Sequence, residues 1–220
     1  MKRNKILYIL IILLMYSCEP IEYKVPIFYY KYFPIELNNS KEYYVTNISY
    51  TSFGKDTNTY FLKEIISEIY FDEEGDTNYR IERFTKSDSL EDFIIKDIWT
   101  IKKNKRLIEV VEENERFVKM VFPINEYLYW DGNALNARGN QEYYIDNIHD
   151  NYNMNNFSFD STVSVIQEFK SNQIEYESAK EVYASGIGLV YKENIELNIN
   201  NGNISDVNYG SSYVQELINY

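Results

Sequence analysis

The chain has 220 residues, a formal net charge of −12, 17% aromatic residues, one cysteine and one histidine. That charge repels nucleic-acid phosphates and excludes nucleic-acid binding, and one histidine excludes any metal centre that needs two. With a lone cysteine there is no internal disulfide, so an apolar core has to supply the stability, and the length fits one domain.

At the N-terminus, Lys2, Arg3 and Lys5 precede an apolar run from Ile6 to Met15, the layout of an export signal. The run is shorter than the roughly 20 apolar residues that a membrane-spanning helix needs. It ends in Leu14-Met15-Tyr16-Ser17-Cys18, which resembles a lipobox in having a small residue immediately before the cysteine; Met15 and Tyr16 depart from the strict pattern. The expectation is therefore a signal peptide over residues 1–17, cleavage before Cys18, and acylation of Cys18. Each buried CH₂ contributes about 0.8 kcal/mol, so a diacylglycerol plus a further chain such as palmitate holds a protein stably without a span. This places the protein in the cell envelope as a lipoprotein, on the outer membrane in a diderm bacterium.

Residues 18–32 read as a lipidated tether containing Pro20 and Pro26, and 33–220 as a single β-rich domain. Runs rich in Tyr, Ile, Val, Phe and Thr predict strands near 43–50, 59–71, 79–85, 93–102, 106–112, 116–122, 142–148, 157–169, 188–198 and 212–220. Turn residues at Phe53-Gly54-Lys55-Asp56, at 72–78 and at Lys103-Asn104-Lys105 join them tightly, which implies antiparallel neighbours. Residues 174–182 read as a short helix. In 59–71, Tyr60, Leu62, Ile66 and Tyr70 alternate onto one face while Phe61, Ile65, Ile69 and Phe71 alternate onto the other. A strand that is apolar on both faces suits a strongly curved sheet, so the fold class is mainly β, an antiparallel meander closing into a barrel or half-barrel. Phe33-Pro34-Ile35 and Phe122-Pro123-Ile124 echo each other, but three matching residues do not establish a repeat.

Several blocks carry a resemblance: Tyr32-Phe33-Pro34, Tyr79-Arg80-Ile81-Glu82-Arg83, Val121-Phe122-Pro123 followed by Trp130-Asp131-Gly132-Asn133, Phe159-Asp160-Ser161-Thr162, and Tyr183-Ala184-Ser185-Gly186-Ile187-Gly188-Leu189-Val190-Tyr191. With these the chain resembles uncharacterised lipoproteins of the Bacteroidota. The resemblance implies the anchor, the compartment and a β-rich fold, and no catalytic residue. In similar proteins a proline turn is followed four residues on by Gly and seven on by Trp. Here Asn38 and Lys41 stand at those places after Pro34, and Tyr127 and Trp130 after Pro123. Tyr suits the left-handed conformation of such a turn poorly, unlike Asn.

No residue is assigned a catalytic, cofactor-binding or metal-binding role, and the chain is expected not to be an enzyme. His149 has no nucleophile elbow to serve and reads as a solvated histidine at a strand end. Asp72, Glu73, Glu74 and Asp76 around Gly75 lack the spacing of an EF-hand loop and read as a hairpin tip rather than a calcium site. Gly186 and Gly188 read as a tight turn entering a strand, and Trp99 and Trp130 as core or rim packing, with Trp130 the more exposed. The expected function is binding of an apolar or amphipathic ligand, or of a protein partner, by a membrane-anchored envelope lipoprotein. The alternatives are a structural component of an envelope complex and a glycan hydrolase using paired carboxylates.

Overall fold

The computed structural model describes residues 27–220, so the signal peptide, Cys18 and most of the tether lie outside the described residues. After a 3-10 turn at Tyr30–Tyr32 the chain forms twelve strands: β1 Ser40–Thr51, β2 Gly54–Phe71, β3 Thr77–Lys86, β4 Ile94–Lys103, β5 Leu107–Glu112, β6 Glu115–Val121, β7 Tyr129–Asp131, β8 Glu142–Met154, β9 Phe157–Ser171, β10 Glu175–Ala184, β11 Gly188–Asn200 and β12 Asn203–Asn219. All pair antiparallel in one sheet of order β6-β5-β4-β3-β2-β1-β12-β11-β10-β9-β8-β7. The predicted meander is therefore observed, and its first strand lies beside its last.

The two edges, β6 and β7, also meet. Val118 N–H donates to Gly132 O at 2.9 Å, Trp130 Nε1 donates to Val118 O at 2.8 Å, and Asn136 Nδ2 donates to Arg116 O at 2.8 Å. These bonds nearly close the sheet into a barrel and satisfy edge groups that would otherwise recruit another strand. Gly132 permits the seam, because a β-carbon there would lie 2.3 Å from the Tyr143 ring.

The predicted helix at 174–182 is a strand, β10. Its apolar residues Ile174, Tyr176, Ala179, Val182 and Tyr183 fall at helix-like intervals because Ser178 and Glu181 are buried polar positions. Two further strand segments escaped prediction, the three-residue β7 and the first half of β12. The two-faced pattern of 59–71 is resolved by a register shift between Ile66 and Glu68. Beyond that bulge the faces exchange, and the Tyr70 hydroxyl reaches Thr100 Oγ1 at 3.4 Å rather than continuing the row of Leu62 and Ile66.

Two core clusters fill the molecule. The larger joins Ile81, Ile101, Val110, Met120, Tyr143 and Val165 with Tyr32, which is fully buried. The other joins Tyr43, Val45, Leu62 and Leu217 to Val182, Val190 and the tip of the β8–β9 hairpin at Met154 and Phe159. Outward positions carry charge instead, including the pairs Glu42–Lys63 and Arg80–Glu82. A membrane-spanning barrel shows the opposite pattern, an apolar band outside. No described helix is long and apolar enough to cross a membrane.

The segment assigned to the end of the tether enters the domain at Phe28 and plugs one barrel mouth. Tyr30 packs edge-on against Phe122 at 4.7 Å, Gly186 N–H donates to Lys31 O at 2.8 Å, and the Tyr32 hydroxyl lies 2.5 Å from His149 Nδ1 and 2.8 Å from Ser161 Oγ. The short echo in the sequence proves to be structural. Asn38 and Tyr127, each four residues after its proline, both take positive φ, at 65° and 64°. Asn39 N–H donates to Glu36 O and its carbonyl accepts from Ile66, while Leu128 N–H donates to Asn125 O and its carbonyl accepts from Ile145. The barrel thus consists of two six-strand meanders, each launched by an equivalent turn. The β1–β12 junction answers to the β7–β6 seam.

Candidate functional site

Inward positions of nine strands line a partly enclosed cavity of about 80 Å³, which places it on the barrel axis. Phe33 and Pro34 cover it from the plugged end. Its walls mix apolar side chains such as Ile81, Ile101 and Val110 with Lys41, Glu64, Glu112, Lys119, Glu181, Lys192 and Gln215.

The charges are organised. Lys119 of β6 lies 2.8 Å from both Glu112 of β5 and Glu181 of β10, and Lys192 of β11 lies 3.3 Å from the same two carboxylates. The Tyr183 hydroxyl adds a 2.5 Å hydrogen bond to Glu181. Burial alone would raise the Glu181 carboxyl, but Lys119 and Lys192 outweigh it and hold its pKa at about 2. Burial likewise opposes charge on Glu112 and Lys119, yet the same contacts lower the one and raise the other. These ion pairs cross the lumen, because β6 and β10 are not neighbours in the sheet. A second group lies alongside: Arg83 bonds Glu64 at 3.0 Å and Asp97 at 3.0 Å, stacks 3.5 Å from the Trp99 ring centre, and shares Asp97 with Lys96. Glu112 and Glu181 are the paired carboxylates a hydrolase would need, but both are bound by lysines in a space too small for a sugar ring.

An open basin of about 660 Å³ lies on the inner side of the β1–β2 and β3–β4 hairpins, towards the end remote from the plug. Asn47, Asn58, Tyr60, Thr85, Ser87 and Lys96 are among its lining residues. The Tyr213 hydroxyl donates to Gln215 Oε1 at 2.7 Å and also meets Tyr60, so this string of polar groups lies between basin and axial cavity. Lys86, Glu91, Asp92 and the exposed Ile94 complete its lining, and the two hairpins that carry it also expose Leu90, at 95%, in the β3–β4 turn and Phe53 at the β1–β2 tip.

His149 is exposed, as expected, but it lies within β8 rather than at a strand end, at a register shift where its φ is 62°, and its ring latches the plug through Tyr32. Ser161 Oγ shares that hydroxyl at 2.8 Å and also lies 3.3 Å from His149 Nδ1, so the three side chains form one hydrogen-bonded triangle that holds the plug. Asp72, Glu74 and Asp76 do converge, but Lys102 Nζ sits among them at 2.8, 3.3 and 2.7 Å and supplies the positive charge a calcium ion would bring. Gly186 and Gly188 take φ of 77° and 92° in the turn that opens β11. Trp99 and Trp130 are both partly buried. The charged interior was missed because polar residues at inward strand positions look like surface residues in a sequence. The available signal was parity: Glu64 falls between Leu62 and Ile66, and Lys41 two residues before Tyr43.

Geometry defines a plugged, nearly closed antiparallel barrel with a charged lumen and an open basin at its far end. No family model matches the chain, and no curated protein matches it. Among solved structures, an exported protein with a YmcC-like fold from Bacteroides fragilis is 12% identical with a TM-score of 0.38, over 83% of this chain and 97% of that one. A lipoprotein from Parabacteroides distasonis is 12% identical with a TM-score of 0.36, over 85% of this chain and 98% of that one. Both likenesses are too distant to carry an argument about function.

Proposed function

We propose that this is a membrane-anchored lipoprotein of the bacterial envelope that acts by binding, without catalysis, and presents its far-end basin to an amphipathic segment of another envelope protein. The observation that carries this is the basin itself, lined by amide and hydroxyl side chains together with Lys86, Glu91, Asp92, Lys96 and Ile94, on hairpins whose turns also expose Leu90 and Phe53. Polar groups of the lining suit the backbone of an extended segment, and the exposed apolar side chains supply the buried area that makes association favourable. Chain entry at the opposite mouth supports the same reading, because the described chain joins the barrel at the end remote from the basin. The axial cavity, at about 80 Å³, is too small for an acyl chain, which favours a protein segment over an apolar ligand in the lumen.

Photo-crosslinking in cells from positions 53 and 90 tests the reading. One reproducible adduct from both, absent when the crosslinker is placed at Glu82 on the barrel wall and lost in a Leu90→Asp background, is the expected result. Adducts that form equally from Glu82, or none from either turn position, would overturn it.

A further inference from the structure

Lys41 is the charged group of the lumen that no close partner explains. Among the described residues Glu64, Glu112 and Glu181 each have a cation within 4 Å, supplied by Arg83, Lys119 and Lys192, whereas no carboxylate lies within 4 Å of the Lys41 ammonium. Burial lowers its ammonium pKa, and longer-range attraction from Glu64 only partly offsets that. Packing does not account for the residue either. Its counterpart in the second meander is Trp130, an apolar ring whose N–H is satisfied by Val118 O. Gly188 leaves room for the ammonium, since a β-carbon there would lie 3.1 Å from Lys41 Nζ.

Two further donors on the same cavity have no partner: Trp99 Nε1 and Gln215 Nε2 are both buried without a hydrogen bond. An unpaired buried donor costs roughly 1–3 kcal/mol, so three donor-bearing side chains around one space call for acceptor atoms within it. The volume admits a few waters or one compact oxyanion. Water would satisfy the two neutral donors but leave the ammonium uncompensated.

We propose that the axial cavity binds a small oxyanion, a carboxylate or phosphate group, between Lys41, Trp99 and Gln215. The full chain in detergent is titrated with sodium acetate and with sodium phosphate against sodium chloride at matched ionic strength, with the thermal unfolding midpoint and heat of binding as readouts. A saturable rise with acetate alone assigns the site to carboxylates, with phosphate alone to phosphate, and with both to either. Lys41→Met is expected to weaken apparent affinity at least tenfold, Trp99→Phe less so, and Lys170→Met, an exposed lysine paired with Glu175 and Glu177, not at all. The proposal is overturned if neither anion acts saturably, or if both Lys41→Met and Trp99→Phe bind as the parent does. It stands apart from the basin, since Leu90→Asp leaves this titration unchanged.

Discussion

Glu181 shows how one residue can be both misleading in the sequence and central in the fold. It lies in residues 174–182, which read as a short helix in the sequence, yet it sits in a strand, is 1% exposed and is bonded to Lys119 and Tyr183. Its carboxyl is held near 2, below the ordinary 4.5, so its contribution to stability is complete above 4.5 and is lost as pH falls towards 2. Urea midpoints should therefore drop between pH 5 and pH 2.5, and Glu181→Gln should flatten that dependence. At pH 7 the same substitution leaves Lys119 and Lys192 with less compensation, and a loss of about 3 kcal/mol is expected. A variant with the parent's pH dependence would contradict this.

At the scale of elements, alternation and turn chemistry made ten of the twelve strands readable, and failure came where tertiary contacts override local pattern. β7 is three residues long, pairs with β8 at Tyr143, and is fixed in place by the Trp130 ring and Gly132 bonding Val118 across the seam. The plug was taken for tether because Phe28–Tyr32 carries no strand signal; barrel contacts, not periodicity, order it. Tyr127 adopts φ of 64° although its side chain disfavours it, because the turn launching β7 repeats the one launching β1. Trp130→Phe keeps the ring and removes the donor to Val118. Faster hydrogen exchange at the Val118 and Ile145 amides, with those of β10 and β11 unchanged, is the expected outcome; uniform exchange across the sheet would show that the seam opens only with the whole barrel.

For the whole molecule, the fold class was legible and the functional regions were not. Hairpins follow from local sequence, whereas the lumen charges and the basin arise only when residues far apart in the chain are brought round one axis. Closure makes β12 the keystone, since it pairs with both β1 and β11. Ending the chain after Asn201 should abolish the near-ultraviolet tyrosine and tryptophan dichroism and the cooperative melt, while removing Tyr220 alone should leave both intact.

The same adjacency sets an order of events during synthesis. A ribosome delivers the segment that starts the sheet long before the segment that must lie beside it, so the nascent polypeptide cannot complete its ring until β12 has emerged. Until then the two faces of the growing ribbon have no partner to close against, and the ring forms as the final hairpin docks on the first strand.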